Sequence, residues 1–144
     1  MTLYRLNEAD LDVPDAWQDQ SINIFKLPAT GSAKEASFVI SRDPSQGDMP
    51  FADYIAQQLA NARQQLPGFT LVKQWDINLN GAPAVLLDYT WQRDGRVLML
   101  RQVFIERKPA VLITTLTTTP QDLPFHEPAW KQAMQTLKPL PPAA

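Results

Sequence analysis

Along this chain the spacing of apolar and polar residues changes character several times, and each change marks an element. Residues 21–27 (SINIFKL) and 36–42 (ASFVISR) alternate with period two, which predicts two strands facing each other across a loop containing Gly31. Residues 3–6 predict a short first strand, and Pro14 within residues 12–15 predicts a turn. In residues 51–66 the period lengthens: Phe51, Ile55, Leu59, Ala62 and Leu66 recur at steps of three and four, and Pro67-Gly68 stops the helix this implies. Four strands follow, over residues 69–79, 83–92, 96–107 and 110–118. Asn80-Gly81, Asp94-Gly95 and Lys108-Pro109 supply the turns between them. A last helix is expected over residues 128–137, with Ala129, Trp130, Ala133 and Leu137 on its packing side.

Strands joined by short hairpins, with two main helices, predict an α+β fold built on a largely antiparallel sheet of about six strands. Residues 1–138 are expected to form a single domain, and residues 139–144 a flexible proline-rich tail.

Several strands are apolar on both faces. In SINIFKL, Phe25 and Leu27 fall on one face and Ile22 and Ile24 on the other. In ASFVISR, Phe38 and Ile40 oppose Ser37, Val39 and Ser41. In RVLMLRQVFIE, Val97, Met99, Val103 and Ile105 oppose Leu98, Leu100, Gln102 and Phe104. Helices covering both faces would make every one of these rows core. Two helices on the same side would instead leave part of a face open to a partner.

Composition narrows the function. With 13 basic and 15 acidic residues scattered along 144, the net charge is −2, so no nucleic-acid partner is expected. The chain has no cysteine, which excludes disulfides, thiolate metal sites and thiol nucleophiles. Its start, MTLYRLNEADLDVP, lacks the basic and apolar regions of a secretory signal. No apolar run approaches the roughly 20 residues needed to cross a bilayer. The expected location is the cytoplasm, without direct membrane insertion.

Chemistry is sparse. His126, in PFHEP, has no converging partners in the pattern and reads as a surface or capping residue. No phosphate-binding glycine loop, nucleophile elbow or metal-spaced histidine pair occurs. Asp76, Asp88 and Glu106 lie in strands with Lys73, Arg93 and Arg101 at hand, which favours cross-strand ion pairs on a solvated face. Residues 114–119 read as β-branched strand filler. Nothing points to an enzyme, a metal or a cofactor.

One resemblance gives these features a purpose. Val13-Pro14, Trp17, Asp19-Gln20-Ser21 and Ile22-Asn23-Ile24-Phe25, then FVISRD from Phe38, the helix at 51–66 and the Asn80-Gly81-Ala82-Pro83-Ala84 hairpin occur in an order that resembles the Eag family of type VI secretion chaperones. The likeness runs from about Tyr4 to Lys138. The layout also resembles the wider PsbP-like fold, which includes a periplasmic lipoprotein family; this chain departs from that group in having neither signal nor lipid-bearing cysteine.

The resemblance implies a cytoplasmic homodimer that binds the amino-terminal transmembrane helices of a cognate effector carrying a PAAR domain. Concave sheet faces would embrace the helices and keep them soluble until secretion. Such a task needs an apolar surface, for which Ile22, Ile24, Val39, Leu98 and Leu100 share candidate faces. It needs small residues at close approaches, which Ser37 and Ser41 suit. It also needs uncharged polar contacts, because a buried unpaired ion is costly; Gln58 and Gln102 are placed to donate to the client. The plainer alternative makes Gln58 part of a solvated helix face and Gln102 a strand-edge residue. The alternative function is a binding module for a small, lipid-like ligand on the same face.

Overall fold

A computed structural model describes residues 1–141. Six strands form one wholly antiparallel sheet: β3 (Asn23–Leu27), β4 (Ala36–Asp43), β5 (Thr70–Leu79), β6 (Ala82–Arg93), β7 (Arg96–Arg107) and β8 (Ala110–Thr118). Their order across the sheet is β3-β4-β8-β7-β6-β5. The expected hairpins are present. Asn80 and Gly81 both take positive φ, 51° and 98°, as do Asp94 and Gly95 at 51° and 76°. These are the two-residue turns whose twist suits antiparallel strands.

The amino-terminal part departs from expectation. Besides β1 (Thr2–Arg5) there is a second strand, β2 (Asp10–Val13), and the two pair with each other outside the main sheet. Its sequence, DLDV, carries two acidic residues that resemble turn chemistry. Arg5 meets Asp10 across the hairpin at 3.0 Å.

Helix α1 (Phe51–Gln65) buries Tyr54, Ile55 and Leu59 against Val85, Leu87, Tyr89, Phe104 and Val111. Helix α2 (Leu123–Thr136) buries Met134 against Ala84, Leu86, Val103 and Ile105. In β6 the odd-numbered residues face α1 and the even-numbered ones face α2, so the helices lie on opposite faces of the sheet. Of the two arrangements the sequence left open, helices on both faces or both on one side, the first is the one adopted. Topology supplies the reason: β4 ends beside β8, β5 lies at the far edge, and α1 must cross one face to connect them.

Helix α2 begins five residues before the expected start, at Leu123. Pro124 sits in the first turn, where its missing N–H has no helical partner, so only Pro128 deletes a bond. His126 is buried rather than on the surface. Its Nε2 lies 2.7 Å from Lys34 O; a carbonyl can only accept, so Nε2 carries the hydrogen. Asp122 Oδ2 accepts from Lys34 N, stitching the helix start to the loop before β4.

The α2 face carries a buried ion pair. Arg101 and Asp88 stand directly opposite each other in β7 and β6, joined by two bonds of 2.9 Å. They are 6% and 1% exposed, so the expected solvated pairing is in fact a core pairing. Arg101 also donates to Glu127 at 3.0 Å and lies over the Trp130 ring at 4.6 Å, both on α2. Burial alone would lower the Arg101 pKa, but Asp88 and Glu127 outweigh it and hold the pKa above its usual value. Removing one partner of such a pair strands the other charge. Asp88→Ala should cost about 3–5 kcal/mol in urea denaturation, and Asp88→Leu with Arg101→Met should cost far less.

Candidate functional site

The register of the sheet brings residues distant in sequence into single rows. One row on the α1 face runs Leu87, Gln102, Thr115, Val39, Ile24, each paired with the next across the strands. The adjacent row runs Tyr89, Leu100, Thr117, Ser37, Lys26. On the other side Ser41 pairs with Ile113, and Ile113 with Phe104. Ile22, Ile24, Ser37, Val39, Ser41, Leu98, Leu100 and Gln102 thus fall on the same face, although they come from three segments of chain.

Helix α1 covers only part of that face. The core beneath it draws on β5 through β8, with Leu71, Leu100 and Ile113 packed at its margin, and takes nothing from β3. The remainder, centred on β3, β4 and β8, lies open. Ile22 is 58% exposed and Ile24 71%, while Ser37, Val39, Ser41, Leu98 and Gln102 are half-buried. Leu100 belongs partly to the core. Gln58 rises half-buried from α1, one turn beyond Tyr54, and no hydrogen bond joins it to the strand residues among the described residues. A hollow of about 410 Å³ at one end of the strip includes Ile24, Ser37, Leu98 and Thr117. A second, of about 530 Å³, includes Ile22 and Ser41 at the other end.

Two anchors define the edges of this strip. Arg42 Nη1 donates to Ser21 O at 3.2 Å and Asn23 Oδ1 at 2.6 Å, holding the segment that carries Ile22 beside β4. Tyr54 donates to Asp43 Oδ2 at 2.6 Å, fixing α1 near its start over the end of β4. Burial raises the Asp43 pKa, but hydrogen bonds from Tyr54 and Ser45 outweigh it, so the carboxyl lies below its ordinary value. Burial and the Asp43 bond push the Tyr54 phenol upward.

Thr115 and Thr117 were missed as site residues because residues 114–119 look like strand filler. The signal becomes visible only once β8 is known to lie between β4 and β7. Within the strip the side chains are Ile, Val, Leu, Ser, Thr and Gln. Lys26 closes one row at the edge strand and pairs with Glu35 at 3.4 Å, and the two hollows also carry charged side chains, Lys34, Glu35 and Asp122 at one end and Asp19 and Arg42 at the other. Among the described residues no group of His, Asp or Glu is arranged to hold a metal ion. The arrangement offers a largely apolar strip with hydroxyl and amide groups along it and charged side chains at its ends, chemistry that suits a binding surface.

The DcrB family model matches residues 8–136. Effector EagT6 of Pseudomonas aeruginosa is 80% identical over 141 residues, covering 98% of each chain. A crystal structure of a Pseudomonas aeruginosa protein of unknown function superposes with TM-score 0.90, at 80% identity and 98% coverage of both chains. LpqN, involved in cell envelope biogenesis of Mycobacterium tuberculosis, aligns with TM-score 0.50 and 16% identity over 85% of each chain, a likeness of fold alone.

The Tyr54–Asp43 bond gives a pH-dependent test of how α1 is seated. A carboxyl lowered in the folded state contributes stability above its unfolded pKa near 3.8, lost as pH falls through the folded value. The difference in unfolding free energy between native protein and Tyr54→Phe should therefore stay constant from about pH 7 to about pH 5 and shrink below about pH 3.8. Urea denaturation across that range measures it; a difference unchanged down to about pH 2 would show that Asp43 does not hold the helix.

Proposed function

The chain belongs to the DcrB family, as a homologue of Effector EagT6, and from that premise we propose that it is a type VI secretion chaperone. In this reading it binds the amino-terminal transmembrane helices of a cognate PAAR-containing toxin in the cytoplasm and shields them until secretion. The observation that carries the reading is the open, largely apolar half of the α1 face, with Ile22 and Ile24 as its most exposed apolar members. An apolar helix laid there meets isoleucine, valine and leucine, and finds hydroxyls and an amide for its polar atoms without stripping water from an ion.

The strip is narrow for a helix about 10–12 Å across with its side chains. One protomer leaves the far side of the helix in water, and a homodimer with two such strips facing each other would enclose it. Ser37, Ser41, Thr115 and Thr117 keep the floor low where the helix approaches, while Val39, Leu98 and Leu100 supply apolar contact. Gln58 and Gln102 flank the strip as amide donors. Release follows from handover to the secretion machinery and needs no nucleotide.

A second reading, binding of a small lipid-like ligand, has its own support on the opposite face. A groove of about 360 Å³ between β3, β4 and α2 is lined by Phe25, Leu27, Phe38, Ile40, Trp130 and Met134. Its volume suits a small apolar molecule rather than a helix.

One double substitution separates these readings. Ile22→Asp with Ile24→Asp alters exposed positions, so the variant should fold, with stability within about 1 kcal/mol of native. Each isoleucine lost from an apolar contact removes roughly 1.5–3 kcal/mol, so client affinity should fall roughly a hundredfold or more. Affinity capture from cells co-expressing a PAAR effector with amino-terminal transmembrane helices reads this out, beside a melting curve. A folded variant that retains its effector at native yield contradicts the proposal. An unfolded variant would place both isoleucines in the core.

A further inference from the structure

Gln102 stands where the covered part of the α1 face meets the open part, and both ends of its amide are held. The Tyr89 hydroxyl donates to Gln102 Oε1 at 2.9 Å, and Gln102 Nε2 donates to Thr115 Oγ1 at 3.2 Å. Tyr89 comes from the neighbouring row, reaching Gln102 on the diagonal, and its ring packs on Phe69 at 5.0 Å. It is 5% exposed, and burial pushes its phenol up to about 12, so the hydroxyl keeps its proton at neutral pH.

That buried hydroxyl decides which way the amide points. Its bond to Gln102 is its sole hydrogen bond among the described residues. Turning the amide over would make the phenol oxygen the acceptor and leave its hydrogen without a partner, a desolvation cost that the present orientation avoids. Oε1 therefore faces Tyr89 and Nε2 faces Thr115. Nε2 carries two hydrogens, of which one is used, and Thr115 Oγ1, having accepted, keeps its own hydrogen to donate. Thr115 adjoins Val39, and Val39 adjoins Ile24, so these donors border the most exposed apolar part of the strip.

We propose that Tyr89 is a positioning residue which, through Gln102 and Thr115, makes the inner border of the open strip a hydrogen-bond donor, so that it selects apolar helices presenting an acceptor oxygen. The inference rests on the helix-binding reading above and adds a chemical selectivity to it. A wholly apolar helix would cover the donors without satisfying them, and a helix presenting an N–H there would set donor against donor. A serine or threonine oxygen, or a backbone carbonyl bared beside a small residue, would complete the chain.

The test uses lysine-flanked leucine–alanine helices of about 20 residues, differing only in guests at i, i+4 and i+7 along one face. One peptide carries O-methylserine, which accepts but cannot donate; the other carries norvaline, of the same shape without the oxygen. Fluorescence anisotropy should show native protein binding the O-methylserine peptide about five- to tenfold more tightly. Tyr89→Phe frees the amide to turn, so the ratio should fall to about twofold or less while affinity for the norvaline peptide holds. Gln102→Leu should lower the ratio by a separate route, leaving only the Thr115 hydroxyl to donate, and Gln102→Leu with Thr115→Val should bring it to unity. Equal binding of both peptides by native protein overturns the donor site and leaves helix binding standing. A ratio that survives Tyr89→Phe removes Tyr89 from the role. Binding of neither peptide contradicts the helix-binding reading itself.

Discussion

The pairing of Arg101 with Asp88 sets the terms for the rest of the molecule. A guanidinium and a carboxylate buried between strands are tolerable only when each satisfies the other, and here two parallel bonds of 2.9 Å do so. The same guanidinium reaches Glu127 and lies over Trp130, so the pair also fixes where α2 docks. With α2 committed to that face, the opposite face is left to α1 alone. A single 15-residue helix cannot cover six strands. The open strip is what remains, and the proposed function depends on it.

The route of the chain decides which part remains. Helix α1 connects β4, in the half of the sheet that stays open, to β5, at the opposite edge, and its core contacts run through β5 to β8. Tyr54 and Asp43 pin it near its start, over the end of β4. The uncovered lengths of β4 and β8 carry Ser37, Val39, Ser41, Thr115 and Thr117 on this face, and β3 adds Ile24 and, at the edge, Lys26. In a closed core such a row would waste burial and leave hydroxyls to be paired. On a binding surface it combines contact area with uncharged polar groups.

Much of this was legible in the sequence, in proportion to how local each feature is. The Asn80-Gly81 and Asp94-Gly95 turns, the period-two strands and the helix beginning at Phe51 all announce themselves within a few residues. The two-faced character of SINIFKL, ASFVISR and RVLMLRQVFIE was also plain, and the resemblance to the Eag family then put Ile24, Val39 and Gln102 among the candidates. Features that depend on long-range pairing were not visible. Thr115 gains its place only because β8 lies between β4 and β7, and Asp88 meets Arg101 in the core only because α2 closes over them. His126 is buried because the loop before β4 offers it the Lys34 carbonyl, a contact between segments 92 residues apart. The strand DLDV and the early start of α2 were obscured by acidic residues and prolines whose local preferences the fold overrides.

An apolar helix seated on the open half of the α1 face, and not in the groove beneath α2, would leave a distinct set of methyl groups perturbed. Methyl-resolved NMR of the chain, recorded free and with a bound transmembrane segment of a PAAR effector, tests it most directly. Shifts and intermolecular contacts are expected at the methyl groups of Ile22, Ile24, Val39, Leu98 and Thr115, with Leu27, Ile40 and Met134 unmoved. Perturbation confined to Leu27, Ile40 and Met134 would put the ligand on the other face and contradict this placement.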